Sequence, residues 1–194
     1  MKTLTNRAII AAAILAVAAF IVGYGRQQQD SGGKYAEVNG LKMYYEIHGS
    51  GRPLVLLHGA FGFAEGWGAF LPTLTKTHQV IAIELQGHGH TNDIDRPLTF
   101  EQMADDTAAL LKQLNIKDAD IFGYSMGGTV ALGVAIRHPE LVRKLAFYGS
   151  CAGTMKDTYD PEVYKQFQSI GPDFAPPALK EPYDRIGARS EFVV

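Results

Sequence analysis

Short apolar runs alternate through the middle of the chain with longer segments whose apolar positions recur at helical spacing. The continuous apolar run at residues 54–57 is typical of a strand buried on both faces, buried strands are also predicted at residues 79–85 and 119–122, and one more strand is predicted at residues 144–148. Helices are predicted between them, at residues 67–76, 100–114 and 126–137. Because strands alternate with helices, the pattern predicts an α/β fold with a mostly parallel, doubly wound sheet.

A β-hairpin is predicted ahead of the first buried strand. Residues 35–38 and 41–48 are strand-like, and Asn39-Gly40 between them is the strongest two-residue hairpin signal. The sheet is therefore expected to begin with an antiparallel pair.

The regular pattern occupies residues 35–150, which we interpret as one core domain. After Gly149 the chain is rich in Pro, Tyr, Asp and Lys, with one helical piece at residues 162–169. Residues 151–194 contain no further buried strand, so the sheet is expected to be incomplete after the strand at 144–148.

The N-terminus differs from the rest of the chain. Lys2 and Arg7 flank an uncharged run at residues 8–25, whose apolar part, residues 8–22, is long for a signal-peptide core and short for a full membrane span. We expect residues 1–25 to be a cleaved signal peptide or a retained membrane anchor, with a buried helix of the domain as the third reading. Since a positive flank stays in the cytoplasm, the remainder is expected to be exported, periplasmic or otherwise extracytoplasmic, and secreted or membrane-tethered. Residues 26–34 are a polar linker.

Composition excludes several function classes. The net charge of −2, with 46% hydrophobic and 20% charged residues, is ordinary for a globular protein and indicates no nucleic-acid partner. Cys151 is the single cysteine, so no internal disulfide is expected. No Cys/His cluster has zinc spacing, and no acidic loop has the pattern of a calcium site. We therefore expect no metal and no cofactor.

The candidate chemistry centres on Gly123-Tyr124-Ser125-Met126-Gly127, which lies between a predicted strand and a predicted helix. A Gly-x-Ser-x-Gly sequence in this context is typical of a nucleophile elbow, in which a strained turn exposes the serine. The helix N-terminus behind Ser125 offers free N–H groups and a partial positive charge, which favour an oxyanion. Ser125 is therefore the candidate nucleophile.

A second motif starts with His58-Gly59, directly after a buried strand. Its loop is expected to face the elbow at the carboxyl end of the sheet, where open α/β sheets bind ligands. We predict that the backbone N–H groups of Ala60 and Met126 form the oxyanion hole, with Phe61 as an alternative donor. His58 either orders this loop through hydrogen bonds, which we favour, or acts as a general base.

A third motif, at residues 84–91, follows the next buried strand. Its glycines predict a tight turn in which His88 packs and donates hydrogen bonds, while a catalytic role for His88 or His90 is the alternative. The segment is not a dinucleotide-binding fingerprint, because Asn92 stands where the third glycine is required.

In order and spacing, the three motifs together resemble those of the α/β-hydrolase family, and in particular its serine esterase and cofactor-free haloperoxidase-like branch. The resemblance covers residues 35–149 and is carried by His58-Gly59, Gly87-His88-Gly89-x-Thr91 and Gly123-Tyr124-Ser125-Met126-Gly127-Gly128. It implies the α/β-hydrolase fold and the nucleophile role of Ser125. Two positions depart from the family pattern: Glu84 replaces the usual Asp, and Gln86 replaces an Arg that helps to tie the turn.

The triad of this fold runs in the order serine, acid, histidine, and the last two follow later strands. The chain has no histidine after His138. We therefore expect the triad acid and histidine to lie outside this chain, residues 151–194 to be the start of a truncated cap region, and the chain to be C-terminally truncated.

The predicted function is that of a serine hydrolase acting on a small-molecule ester, amide or similar acyl substrate. The alternatives are a non-catalytic protein that binds a small ligand on the same fold, and an inactive fragment. Aromatic and apolar side chains around the motifs, namely Phe61, Phe63, Trp67, Tyr124 and Met126, either line an apolar pocket or belong to the core.

Overall fold

The computed structural model describes residues 33–150, 160–168 and 181. Within these residues, the strands are β1 Lys34–Val38, β2 Leu41–His48, β3 Arg52–Leu57, β4 His78–Ile83, β5 Ala119–Tyr124 and β6 Val142–Tyr148. The α-helices are α1 Leu71–Leu74, α2 Phe100–Gln113, α3 Met126–Arg137 and α4 Pro161–Gln168, with short 3₁₀ helices at Ala64–Trp67 and Pro139–Leu141.

The strands form one sheet in the order β1-β2-β4-β3-β5-β6. β1 pairs with β2 and β2 with β4 in antiparallel fashion, whereas β3, β4, β5 and β6 are mutually parallel. Asn39 and Gly40 both have positive φ, at 50° and 81°, which is the backbone of the tight turn expected between β1 and β2. The predicted α/β class, parallel core and N-terminal hairpin are confirmed.

Side chains alternate between the two faces of the central strands, so each strand contributes to two apolar layers. Val55 and Leu57 of β3 pack into the larger layer, which α2 and α3 cover with residues such as Leu111. Leu56 points the other way and packs with Trp67 in a smaller layer. This double burial explains the continuous apolar runs at residues 54–57 of β3 and 80–83 of β4.

Two well-formed helices cover the larger layer. The side chain of Thr99 accepts a hydrogen bond from the N–H of Gln102, at 3.1 Å, and so caps the start of α2. α3 begins immediately after Ser125 and ends at Arg137, before His138-Pro139. The helices predicted at residues 100–114 and 126–137 therefore exist with nearly the expected bounds.

The helix predicted at residues 67–76 is wrong in extent. The structure instead has the 3₁₀ turn Ala64–Trp67, then Gly68, then the single-turn helix Leu71–Leu74. Gly68 is a weak helix former, and Pro72 is compatible only with the first turn of a helix. One continuous helix therefore cannot form across this segment.

An apolar cavity of about 630 Å³ opens beside the smaller layer. Its walls include Trp67 and Phe70 from the segment after β3, together with Phe122, Tyr124 and Tyr148 from β5 and β6. Of the five side chains proposed from sequence to line a pocket, Trp67 and Tyr124 line this cavity, whereas Phe61, Phe63 and Met126 are not among its walls.

The predicted N-terminal signal peptide or anchor, residues 1–25, lies outside the described residues, and so does Cys151. Most of the predicted cap start at 151–194 also lies outside them, although α4 corresponds to the helical piece expected at 162–169. Across the described part of the chain, no helix combines the length and the apolar character needed to cross a bilayer.

Candidate active site

Ser125 occupies a strained turn between β5 and α3. Its φ of 52° and ψ of −120° lie in a region that non-glycine residues rarely adopt. Such strain persists only where the surroundings enforce it. A sharp turn of this kind lifts the serine side chain out of the strand and points it beyond the end of the sheet, as a nucleophile elbow requires.

The glycines beside Ser125 are needed because other backbone lies against them. A Cβ added at Gly127 would overlap the carbonyl oxygens of Leu57 and His58 at the end of β3. A Cβ at Gly123 would overlap the backbone of Gly127. The first turn of α3 is therefore packed directly against the end of β3, which fixes where the helix N-terminus points.

The backbone of Ser125 is held from both sides. Its N–H donates to the carbonyl oxygen of Tyr148 at the end of β6, at 2.8 Å. Its carbonyl oxygen accepts from the N–H of Gly128 at 2.9 Å and from the hydroxyl of Ser150 at 2.6 Å. Sequence reasoning did not identify Ser150, whose contribution depends on β6 bringing it beside the elbow.

The loop after β3 is also tightly held. The N–H of Gly62 donates to the carbonyl oxygen of Gly59 at 3.0 Å, and Phe61 has a positive φ of 60°. A positive φ at the third residue is typical of a type II turn. Nδ1 of His58 lies 2.8 Å from the same Gly59 oxygen, so two groups fix this peptide.

The fixed Gly59 carbonyl determines the direction of the next N–H. In a planar trans peptide the C=O and the following N–H point in opposite directions, so the Ala60 N–H is directed away from His58 and Gly62. Gly59 itself adjoins the elbow, because a Cβ built on it would lie 3.1 Å from the Cβ of Ser125. The loop and the start of α3 thus flank Ser125.

A family profile described as the α/β hydrolase fold matches residues 52–180 of the chain. The chain belongs to this family. Two curated relatives are 2-hydroxymuconate semialdehyde hydrolase of Pseudomonas sp. (strain CF600), 35% identical over 115 residues, and pyrrolizixenacetamide deacetylase of Xenorhabdus hominickii, 31% identical over 115 residues. These matches cover 57% and 59% of this chain but only 41% and 43% of the relatives. The chain thus spans less than half of their length.

Solved structures agree with this assignment. An enol-lactonase from Burkholderia xenovorans LB400 matches with a TM-score of 0.59 and 30% identity, over 61% of this chain and 47% of that chain. The epoxide hydrolase CorEH matches with a TM-score of 0.66 and 30% identity, over 74% and 53% respectively. The named relatives and neighbours are hydrolases that differ in substrate, so the family is established more firmly than the substrate.

Within this α/β hydrolase, His58 is buried and hydrogen-bonded on both ring nitrogens. Its Nε2 accepts from the N–H of Leu85 at 3.1 Å, so Nδ1 carries the proton and donates to the Gly59 oxygen. Burial, together with the nearby His88, lowers the pKa of His58 to about 3. Both ring nitrogens are occupied by backbone, so His58 orders the loop and has no ring nitrogen available to act as a general base.

His88 has a similar structural environment. It is buried, its Nδ1 lies 2.9 Å from the carbonyl oxygen of Gln86, and burial lowers its pKa. His90 differs, because it lies beside Glu84, and the hydrogen bond to this carboxylate raises its pKa. Among the described residues, which include every histidine of the chain, no hydrogen bond joins a histidine to the Ser125 hydroxyl.

Glu84 links the loop after β3 to the turn after β4. Its side chain is fully buried, and one carboxylate oxygen accepts the N–H of Ala64 at 2.9 Å. The other oxygen accepts the N–H of His90. A Cβ at Gly89 would overlap this carboxylate. The Glu84 carboxylate thus holds the backbone of both segments through hydrogen bonds to the N–H groups of Ala64 and His90.

Gln86 and Arg96 support the turn after β4. The amide of Gln86 donates to Asp93 at 2.6 Å and accepts from Nε of Arg96, also at 2.6 Å. Arg96 in turn pairs with Asp106, a fully buried carboxylate on α2. A guanidinium is therefore present at this turn, but it comes from ten residues further along the chain. Nothing in the local sequence around Gln86 indicated that contact.

Proposed function

We propose that this protein is a serine hydrolase in which Ser125 is the nucleophile. The observation that carries the proposal is the backbone of Ser125, whose φ and ψ are strained at the junction of β5 and α3. A strained serine at the carboxyl end of a parallel strand, directly before a helix, is where this fold places an attacking hydroxyl.

The proposed oxyanion hole consists of the backbone N–H groups of Ala60 and Met126. Met126 is the first residue of α3, and the first N–H groups of a helix have no partner within it. The Ala60 N–H follows the fixed Gly59 carbonyl, and this loop adjoins Ser125. Two donors on either side of the hydroxyl would stabilise the negative charge that develops when Ser125 attacks a carbonyl group.

The proposed substrate is a small molecule with an ester, amide or similar acyl bond. Support comes from the names of two similar proteins, a deacetylase and an enol-lactonase. Both names denote cleavage at an acyl carbon, which is the chemistry that a serine nucleophile with two oxyanion donors performs.

We further propose that the general base and its acid partner lie outside this chain. His58 and His88 are buried and bonded to backbone, and the remaining histidines make no hydrogen bond to Ser125 among the described residues. A serine hydroxyl without a base is a weak nucleophile, so the chain by itself is expected to react slowly.

Hydrolysis of p-nitrophenyl acetate with added imidazole tests this function, because free imidazole can replace a missing general base. We expect imidazole to produce a protein-dependent rate in the unmodified chain and in Ser50→Ala, a control serine in an exposed loop. Ser125→Ala should reduce that rate to the level of imidazole in buffer. An unchanged rate in Ser125→Ala would refute the proposal, and saturable ester binding without turnover would favour the ligand-binding alternative.

A further inference from the structure

Three potential metal ligands converge behind the loop that carries Ala60. Glu65 lies on the 3₁₀ helix Ala64–Trp67, while Glu84 and His90 lie at either end of the turn after β4. One ligand atom from each of the three side chains lies within 4.8 Å of the other two. Glu65 stands nineteen positions before Glu84, and the hydrogen bond from the Ala64 N–H to Glu84 holds the 3₁₀ helix beside the turn that carries Glu84 and His90.

One atom of this group is buried without a partner. Oε2 of Glu65 is excluded from solvent and has no hydrogen-bond partner among the described residues. A buried carboxylate oxygen in this state is costly, because the desolvation of a polar group is not offset by any bond. Glu84, by comparison, is bonded to the N–H groups of Ala64 and His90.

Negative charge exceeds positive charge at this point. Glu46, which is 2% exposed, lies near the same group, and both it and Glu84 add to burial in raising the pKa of Glu65. The nearby bases are His90, with Nδ1 at 3.3 Å from both Glu84 oxygens, and His48, which bonds to Glu46 at 2.7 Å. Three carboxylates therefore lie close to two imidazoles, with the side chains of Glu46 and Glu84 buried and both imidazoles partly exposed.

We propose that Glu65, Glu84 and His90 bind a divalent transition-metal ion of the Zn²⁺ type. Ligand atoms at about 2.0–2.2 Å from a tetrahedral ion lie about 3.4 Å apart, so a small inward rotation of these side chains closes the site. A water molecule would complete the coordination. One imidazole nitrogen beside two carboxylates favours Zn²⁺ over Mg²⁺ or Ca²⁺, which prefer all-oxygen sites.

The position of His90 is consistent with a ligand. Its ring stacks on the ring of Tyr44 with centroids 4.3 Å apart, and this contact fixes the plane of the imidazole. The hydroxyl of Tyr44 donates to Glu46 at 2.9 Å, so the same tyrosine also holds the carboxylate behind the site. Supporting contacts of this kind orient metal ligands in proteins.

A proton shared between the side chains of Glu65, Glu84 and His90 explains their arrangement less well than a bound ion does. A proton on Oε2 of Glu65 would need an acceptor within hydrogen-bond distance, and this atom has none among the described residues. An ion at the centre of the three side chains would satisfy Oε2 directly. It would also join the 3₁₀ helix to the turn after β4, and so brace the loop that contains Ala60. This role does not depend on whether Ser125 is catalytic.

Binding of Co²⁺ and Zn²⁺ to the full 194-residue chain tests the proposal. After dialysis against a chelator, Co²⁺ should give visible absorption bands at one equivalent, and Zn²⁺ should displace it. Glu65→Gln and His90→Gln should each weaken binding by at least about tenfold, since even outer supporting residues contribute that much. The controls are Glu37→Gln, an exposed glutamate, and His138→Gln, whose Nε2 faces Asp105 at 2.8 Å on the surface.

The two controls should retain the affinity of the unmodified chain. Cooperative thermal melts will show that each variant is folded, and Zn²⁺ should raise the melting temperature of the unmodified chain but not of His90→Gln. Failure of the unmodified chain to bind either ion overturns the proposal. So does binding that survives in both Glu65→Gln and His90→Gln, or that is lost in His138→Gln instead. X-ray absorption of the Zn²⁺ form supplies a test without variants: coordination lacking an imidazole would also refute it.

Discussion

His58 shows how a single buried side chain can order a loop and also make stability depend on pH. The imidazole is 3% exposed and bonds to two backbone groups, the Leu85 N–H and the Gly59 oxygen. These bonds require the neutral ring, in which one nitrogen accepts and the other donates. Protonation would remove the acceptor and leave a buried charge, which is why the pKa falls to about 3.

The free energy of unfolding should therefore decrease as the pH falls from 6.5 towards 3. In this window the unfolded chain binds a proton on His58 that the folded chain does not, so unfolding is favoured by acid. The slope from this residue approaches about 1.4 kcal/mol per pH unit, and His88 adds in the same direction. In urea titrations, His58→Asn should flatten the dependence.

Leu85→Ala provides the control for this experiment. Leu85 is fully buried, so the variant is destabilised but keeps the His58 imidazole. Its stability should fall with acid as steeply as that of the unmodified chain. If His58→Asn and Leu85→Ala show the same slope, His58 is not the titrating group.

The tight turn at Ser125 could be predicted from the sequence because its requirements are local. Gly123, Ser125 and Gly127 were identifiable because a strand, a tight turn and a helix follow one another within a short segment. Ser150, Glu65 and Arg96 were not identifiable, because each acts through a contact made by the folded chain. The spacing of Glu65, Glu84 and His90 matches no metal motif, so it gave no signal for the proposed cation site.

At the scale of elements, the position of α3 depends on one close approach. Gly127 lies against the carbonyl oxygens of Leu57 and His58, and no side chain fits between the helix and the end of β3. We expect Gly127→Ala to destabilise the protein by about 1–3 kcal/mol or more, through overlap with rigid backbone. Urea-induced unfolding of the variant and the unmodified chain will measure this difference in the free energy of unfolding.

Gly66→Ala is the matched control for this substitution. An added Cβ at Gly66 would meet no atom within 4 Å, and its φ is not positive. The variant should remain within about 1 kcal/mol of the unmodified chain, since an unhindered Gly→Ala change acts mainly on the unfolded state. Equal effects at the two positions would mean that the contact between α3 and β3 does not limit the helix position.

The turn after β4 depends on a buried ion pair with α2. Asp106 is fully buried, and besides Arg96 it accepts hydrogen bonds from Asn39 at 2.9 Å and Gln102 at 3.1 Å. Asp106→Ala should cost about 3–5 kcal/mol, because it leaves the largely buried Arg96 guanidinium without its partner. Thermal or urea unfolding measures this loss.

The neighbouring residue on the same helix is the control. Asp105 pairs with Arg137 at the surface, and this contact lowers the pKa of the Asp105 carboxyl to about 2. Asp105→Ala should cost less than about 1 kcal/mol, because an exposed pair gains little over hydration. If Asp106→Ala lowers the free energy of unfolding no more than Asp105→Ala does, the buried pair of Arg96 and Asp106 does not stabilise this turn as described.

At the scale of the whole molecule, the periodicity of the sequence predicted the sheet and two of the connecting helices. It mispredicted the third, at residues 67–76. The carboxyl-terminal halves of β3 and β4 are buried on both faces, so their apolar runs were unambiguous. The segment after β3 was mispredicted because its apolar residues serve the smaller layer through a 3₁₀ turn and a single helical turn. The sequence predicted a mostly parallel sheet with an antiparallel hairpin, but not the full order of the strands. Pairing between strands that are distant in the chain has no signal in the local sequence.

The nucleophile role of Ser125 is tested most directly by a fluorophosphonate probe in the presence of imidazole, followed by peptide mapping of the labelled chain. The expected result is one adduct on the peptide that contains Ser125, present in Ser50→Ala and absent from Ser125→Ala. Labelling that is equal in Ser125→Ala, or an adduct that maps to another residue such as Ser150, would contradict the proposed nucleophile.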